Sequence, residues 1–89
     1  MKHTERINRI NADIDKHFKS NNGAWWVNNE FCENPGHIVL HQGIGGDKIR
    51  PVWVALRILR QEPSVQYVHY SYGGMVYTRS TLRRAGYKI

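Results

Sequence analysis

Eighty-nine residues with 40% hydrophobic side chains make one globular domain, 1–89, large enough for a single core and too apolar for a disordered chain. Thirteen Lys and Arg against seven acids leave a net charge of +6, which favours a polyanionic or acidic partner. A single cysteine, Cys32, closes no disulfide within the chain, the polar start has no apolar leader, and no run nears the roughly 18–20 apolar residues of a membrane span, so a soluble cytoplasmic protein is expected.

Thr4 to Ser20 reads as the first helix. Ile7, Ile10, Ile14 and Phe18 recur at helical spacing on one stripe, with Thr4 as the expected N-cap and Asn21-Asn22-Gly23 as its end. Residues 24–42 read as a hairpin, with Trp25, Val27 and Phe31 on one parity, Ile38 and Leu40 on another, and Asn34-Pro35-Gly36 as the turn, Asn28-Asn29 being the rival break that would change the register. Gly43 to Gly46 is expected to be a mobile connector. Asp47 or Arg50 then caps a second helix over 49–61, with Pro51 in its first turn, Val52, Ala55, Leu56 and Leu59 inward, and Glu62-Pro63 as its stop. A second hairpin over 65–78 turns at Gly73-Gly74, and Thr78 or Ser80 caps a last short helix that Gly86 ends.

The order α-β-β-α-β-β-α makes this an α+β domain, with helices packed on antiparallel hairpins. A winged helix is the alternative, because helix 49–61 and the glycine-tipped hairpin resemble a recognition helix and its wing. That arrangement needs another helix a short turn upstream, and residues 34–47 do not read as one.

Charge is segregated along the chain. Residues 48–89 hold eight Lys and Arg (Lys48, Arg50, Arg57, Arg60, Arg79, Arg83, Arg84 and Lys88) against the single acid Glu62, and also six of the ten aromatics. On the second helix Arg50, Trp53, Arg57 and Arg60 share one face. Their planar guanidiniums suit phosphate oxygens, and the indole between them suits a base or a cation. Arg79, Arg83 and Arg84 repeat the pattern on the last helix. With Gly73-Gly74 as a two-residue loop, Tyr70 pairs with Tyr77 and Tyr72 with Met75. One face of this hairpin then shows Val68, Tyr70, Tyr72, Met75, Tyr77 and Arg79. Exposed, it is a platform for unpaired bases; its apolar character favours burial.

Other chemistry is thinly supported. The loop Gly43 to Lys48 matches no phosphate-binding fingerprint. His37 and His41 bracket a strand-like run, which places their imidazoles about 13 Å apart, too far for one ion, so neither a metal nor another cofactor is expected. His69 with Ser71 and Thr78 is the one cluster with a base near hydroxyls. Thr81 to Gly86 resembles the final helix of HicA-type messenger-RNA-cleaving toxins over six residues, but the Gly-Ser-His of that family is absent.

The expectation is therefore a small non-enzymatic nucleic-acid-binding protein. Lys48, Arg50, Arg57, Arg60, Arg79, Arg83 and Arg84 would meet phosphates, and Trp53, Tyr70 and Tyr72 would touch bases. The alternative is an inhibitor of phage or plasmid type that docks on an acidic protein surface or a protein–nucleic-acid complex. A small ribonuclease is third.

Overall fold

The stripe Ile7, Ile10, Ile14 and Phe18 does face inward. Ile10 and Ile14 are buried, and Ile7 and Phe18 pack partly buried against the core. The three isoleucines lie on α1, Lys2–His17, and Phe18 follows its last residue, so Thr4 falls inside the helix and does not cap it. The computed structural model describes residues 2–19, 23–29 and 34–89. Asn21, Asn22, Phe31 and Cys32, to which roles were given above, lie outside the described residues.

The chain continues through β1 (Trp25–Asn28), β2 (His37–Gln42), a 3-10 turn (Gly46–Lys48), α2 (Pro51–Gln61), β3 (Tyr67–Tyr70), β4 (Val76–Tyr77) and α3 (Arg79–Arg84). This is the predicted order. Asn34 shapes the entry to β2: its side-chain Oδ1 accepts the Gly36 N–H at 2.8 Å, and its carbonyl accepts the His37 N–H at 3.0 Å. At the other end of the chain, Thr78 and Thr81 form a reciprocal capping box on α3, and Gly86, at φ 99°, lies just beyond it.

The strands form one mixed sheet in the order β1-β2-β3-β4. The two hairpins are antiparallel, as expected, but β2 and β3 pair in parallel, His37 opposite Tyr67 and Leu40 opposite Tyr70. Helix α2 is thus the crossover of a βαβ unit. Periodicity within each hairpin carries no information on how the hairpins join. The crossover also disposes of the winged-helix alternative, because Val54, Ala55, Leu56, Ile58 and Leu59 are buried, and residues 34–47 supply a turn, β2 and a loop.

In the sheet, Trp25, Val27, Ile38, Leu40, Val68 and Tyr77 point into the core with the helices. The alternate residues point the other way, so helices cover one face of the sheet and, among the described residues, no helix covers the other.

The glycine segment after β2 is tied to the sheet. The Gly43 N–H donates to the Ala24 carbonyl at 2.7 Å, and the buried Trp25 Nε1 donates to the Gly46 carbonyl at 3.1 Å. Asp47 lies within the 3-10 turn, and α2 opens at Pro51 with no side-chain cap from Arg50. A Cβ on Gly46 would stand 2.5 Å from Gln42 Cγ and 3.0 Å from the Ala24 carbonyl oxygen. Gly46→Ala should therefore destabilise by about 1–3 kcal/mol in chemical denaturation, as overpacking does. A change under about 0.5 kcal/mol would show that the segment moves aside freely.

Candidate nucleic-acid interface

Helix α2 buries its sheet-facing side, which leaves Arg50, Trp53, Arg57 and Arg60 toward its outer surface, and the structure separates their roles. Arg57 is half-buried and grips Asp13 of α1 with both arms of its fork, Nε to Oδ2 at 2.9 Å and Nη2 to Oδ1 at 2.8 Å. That hydrogen bond holds the Asp13 carboxyl below the usual carboxylate range. Arg57 joins two helices. Arg79 is also internal in its contacts, donating to the carbonyls of Leu59, Val65 and Glu62 at 2.7, 2.7 and 3.0 Å.

The remaining cations face solvent. Arg60 and Arg83 are exposed and share the walls of a groove of about 450 Å³, which Leu59, Pro63, Arg79 and Ile89 also line. Arg60 Nε, at 3.0 Å, and its Nη2 both donate to the Lys88 carbonyl, and Arg83 Nε donates to the Ile89 main-chain oxygen at 2.6 Å, so each five-donor guanidinium keeps further N–H groups beyond these bonds. Lys48, Arg50 and Arg84 are exposed and make no side-chain hydrogen bond or ion pair among the described residues. Trp53 is 47% exposed and meets Tyr87 edge-on, with ring centroids 5.5 Å apart. It lines a second groove, of about 270 Å³, with His17, Phe18 and Leu56 between α1 and α2.

The distribution of acids sharpens this surface. Glu62, the one acid of residues 48–89, is buried, and both its oxygens accept from Arg9 of α1, at 2.7 and 2.9 Å. It neutralises a cation of the first half and none of the second.

The tyrosine hairpin differs from its predicted register by two residues. Val68 pairs with Tyr77 and His69 with Val76, and the Tyr70 N–H donates to the Met75 carbonyl, so the turn spans residues 71–74. A shift of two leaves the faces unchanged. Val68 and Tyr77 are buried, in line with the favoured reading, and Tyr70 is partly buried beside Trp25, its hydroxyl donating to Gln42. Tyr72 lies in the turn and is 79% exposed. Val65 precedes β3 and is buried.

The open sheet face carries the aromatic surface that the sequence reading missed. Trp26 and His41 lie opposite each other on β1 and β2 with rings 15° from parallel and centroids 5.4 Å apart. Farther along, His37 packs on Tyr67 at 4.4 Å, and its Nδ1 lies 2.8 Å from Nε2 of His69. His41 is held by Asn28, Nε2 to Oδ1 at 3.1 Å, and by Ser71, Nδ1 to Oγ at 3.2 Å. The signal was present: in Trp25-Trp26-Val27, His37 to His41 and Tyr67 to Tyr70, rings alternate with core residues.

Burial, and then the neighbouring His37 charge, lower the His69 pKa below its ordinary value near 6.5. The folded state therefore favours neutral His69 and the unfolded state binds its proton more readily. The contribution to stability is complete above about pH 6.5 and is lost as pH falls through the folded value. Melting temperature should fall as pH drops below about 6.5, and less steeply in His69→Asn. Equal slopes would show that His69 is not the group responsible.

The catalytic cluster considered above is dispersed. His69 bonds to His37, Ser71 to His41, and Thr78 caps α3. Among the described residues no group of three or more His, Cys, Asp or Glu is placed to hold a metal ion, and no helix is long and apolar enough to cross a membrane. No known protein family, curated protein or solved structure matches the chain.

Proposed function

We propose that this protein is a non-enzymatic nucleic-acid-binding module whose exposed C-terminal cations meet phosphates. The observation that carries the reading is the ownership of Glu62. Because Arg9 holds its carboxylate, the charges of Lys48, Arg50, Arg60, Arg83 and Arg84 are paired with no acidic side chain from their own half of the chain. Arg50 and Arg60, ten residues apart on one stripe, span about 15 Å along α2, so phosphates of an extended backbone are met at several points. Arg57 and Arg79 support this surface from within.

Titration with duplex DNA, single-stranded DNA and RNA at about 150 mM salt tests the reading, since non-specific association alone gives dissociation constants of roughly 10⁻⁴ to 10⁻⁶ M near that salt. Binding tighter than this to at least one of the three, with the nucleic acid recovered uncut, is expected. Only weak, wholly salt-sensitive binding to all three would overturn it.

A second reading rests on a different observation. At the end of the sheet Ile44 is fully exposed, beside Gln42, Gly43 and Tyr72, and Met75 is also largely exposed. Such an apolar tip suits a protein contact, as in an inhibitor of phage or plasmid type. Binding to all nucleic acids that stays weak would bring this reading forward.

A further inference from the structure

We infer that the open face of the sheet is a stacking platform for unpaired bases, which makes single-stranded nucleic acid the preferred ligand. The inference rests on the nucleic-acid reading above and concerns a surface on the other side of the sheet from the helices. Its outward residues among those described are Trp26, Asn28, His37, Val39, His41, Tyr67, His69 and Val76, a set with no carboxylate. Trp26, Tyr67 and Val76 are each about 40% exposed despite their size. Water contact on that scale costs more for an indole than for a charged side chain, and a packed core would have covered these rings.

The rings are also ordered relative to one another. Trp26 and His41 are near parallel, and His37, Tyr67 and His69 lie within 36° of a common orientation. A planar base extends either group without rearranging it. His37 and His41 are four residues apart on β2, so the two groups are separated by about 13 Å along the strand, room for at least one base at each. Imidazole, amide and phenol groups beside the rings supply hydrogen bonds to base edges.

Charge decides the occupant. A second copy seated here would bring together two chains of net charge +6 across a face with no described acid. A polyanion gains from the same field. Duplex DNA buries its base faces within its own stack, so a ring platform gives it nothing.

An abasic oligomer separates base contacts from phosphate contacts, because it keeps the backbone and removes the rings. Wild-type protein should bind a thymidine oligomer of about 15 nucleotides at least tenfold tighter than an abasic oligomer of equal length. Trp26→Ala and Tyr67→Ala should each weaken thymidine binding by about five- to a hundredfold and leave abasic binding unchanged. Trp26→Phe should retain most of the affinity. In the wild type, the ring resonances of His37, His41 and His69 should shift on titration, a readout independent of any variant's folding. Equal binding of both oligomers with silent histidine resonances overturns the platform while the phosphate reading stands. Failure to bind either oligomer removes both. A dimer of the free protein that Trp26→Ala dissociates also overturns it, since the face would then belong to a second copy.

Discussion

Arg79→Ala should destabilise the fold by about 3–5 kcal/mol, because three carbonyls lose a charged donor together. The need for that donor is written at the end of α2. The Leu59 carbonyl would ordinarily accept from the N–H four residues on, but that residue is Pro63, which has none. Arg79, the first residue of α3, reaches back and bonds Leu59, Glu62 and Val65. Its charge also faces the negative end of the α2 dipole. Lysine carries the charge on a single nitrogen and lacks the planar fork, so Arg79→Lys should recover less than half of the loss. Urea denaturation checks both variants. A loss under about 1 kcal/mol for Arg79→Ala would mean that the guanidinium is free for phosphate, as the sequence by itself suggests.

The second large effect is on binding. If Arg60, Arg83 and Arg84, with Lys48 or Arg50, make about four phosphate contacts, affinity should fall with salt at a slope near −3 to −4, about two orders of magnitude between about 50 and 200 mM salt. Arg60→Glu with Arg83→Glu and Arg84→Glu should remove about two to three units of that slope and weaken every sequence alike, since phosphate contacts position without reading bases. Stability should change by less than about 1 kcal/mol, as all three are exposed. Arg57 is left out of this variant because a glutamate there would face Asp13. An unchanged slope would move the phosphate contacts off the helical layer.

These two predictions divide seven basic residues that look equivalent along the chain. Arg57 and Arg60 are three positions apart on one stripe, and Arg79 and Arg83 are four apart on one short helix. Nothing local distinguishes the member that faces a carboxylate or a bare carbonyl from the one that faces water. The partners of Arg57 and Arg79 lie 44 and up to 20 residues away in sequence, and only folding brings them into reach.

Local rules did determine a good deal. Helical spacing placed Ile10 and Ile14 on the inward stripe, alternation put Trp25 with Val27 and Ile38 with Leu40 on shared faces, and Thr78 and Gly86 marked the ends of α3. Each depends on neighbours within one turn or one strand, so the order of elements was legible. The side of the sheet that stays open was not, because it depends on all helices packing on the same face and on β2 pairing in parallel with β3. Alternation shows that a strand has two faces and does not say which one the helices cover. Packing of α1 and α2 over Ile38, Leu40 and Val68 turned Trp26, His37, His41 and Tyr67 outward, and that choice belongs to the tertiary structure alone.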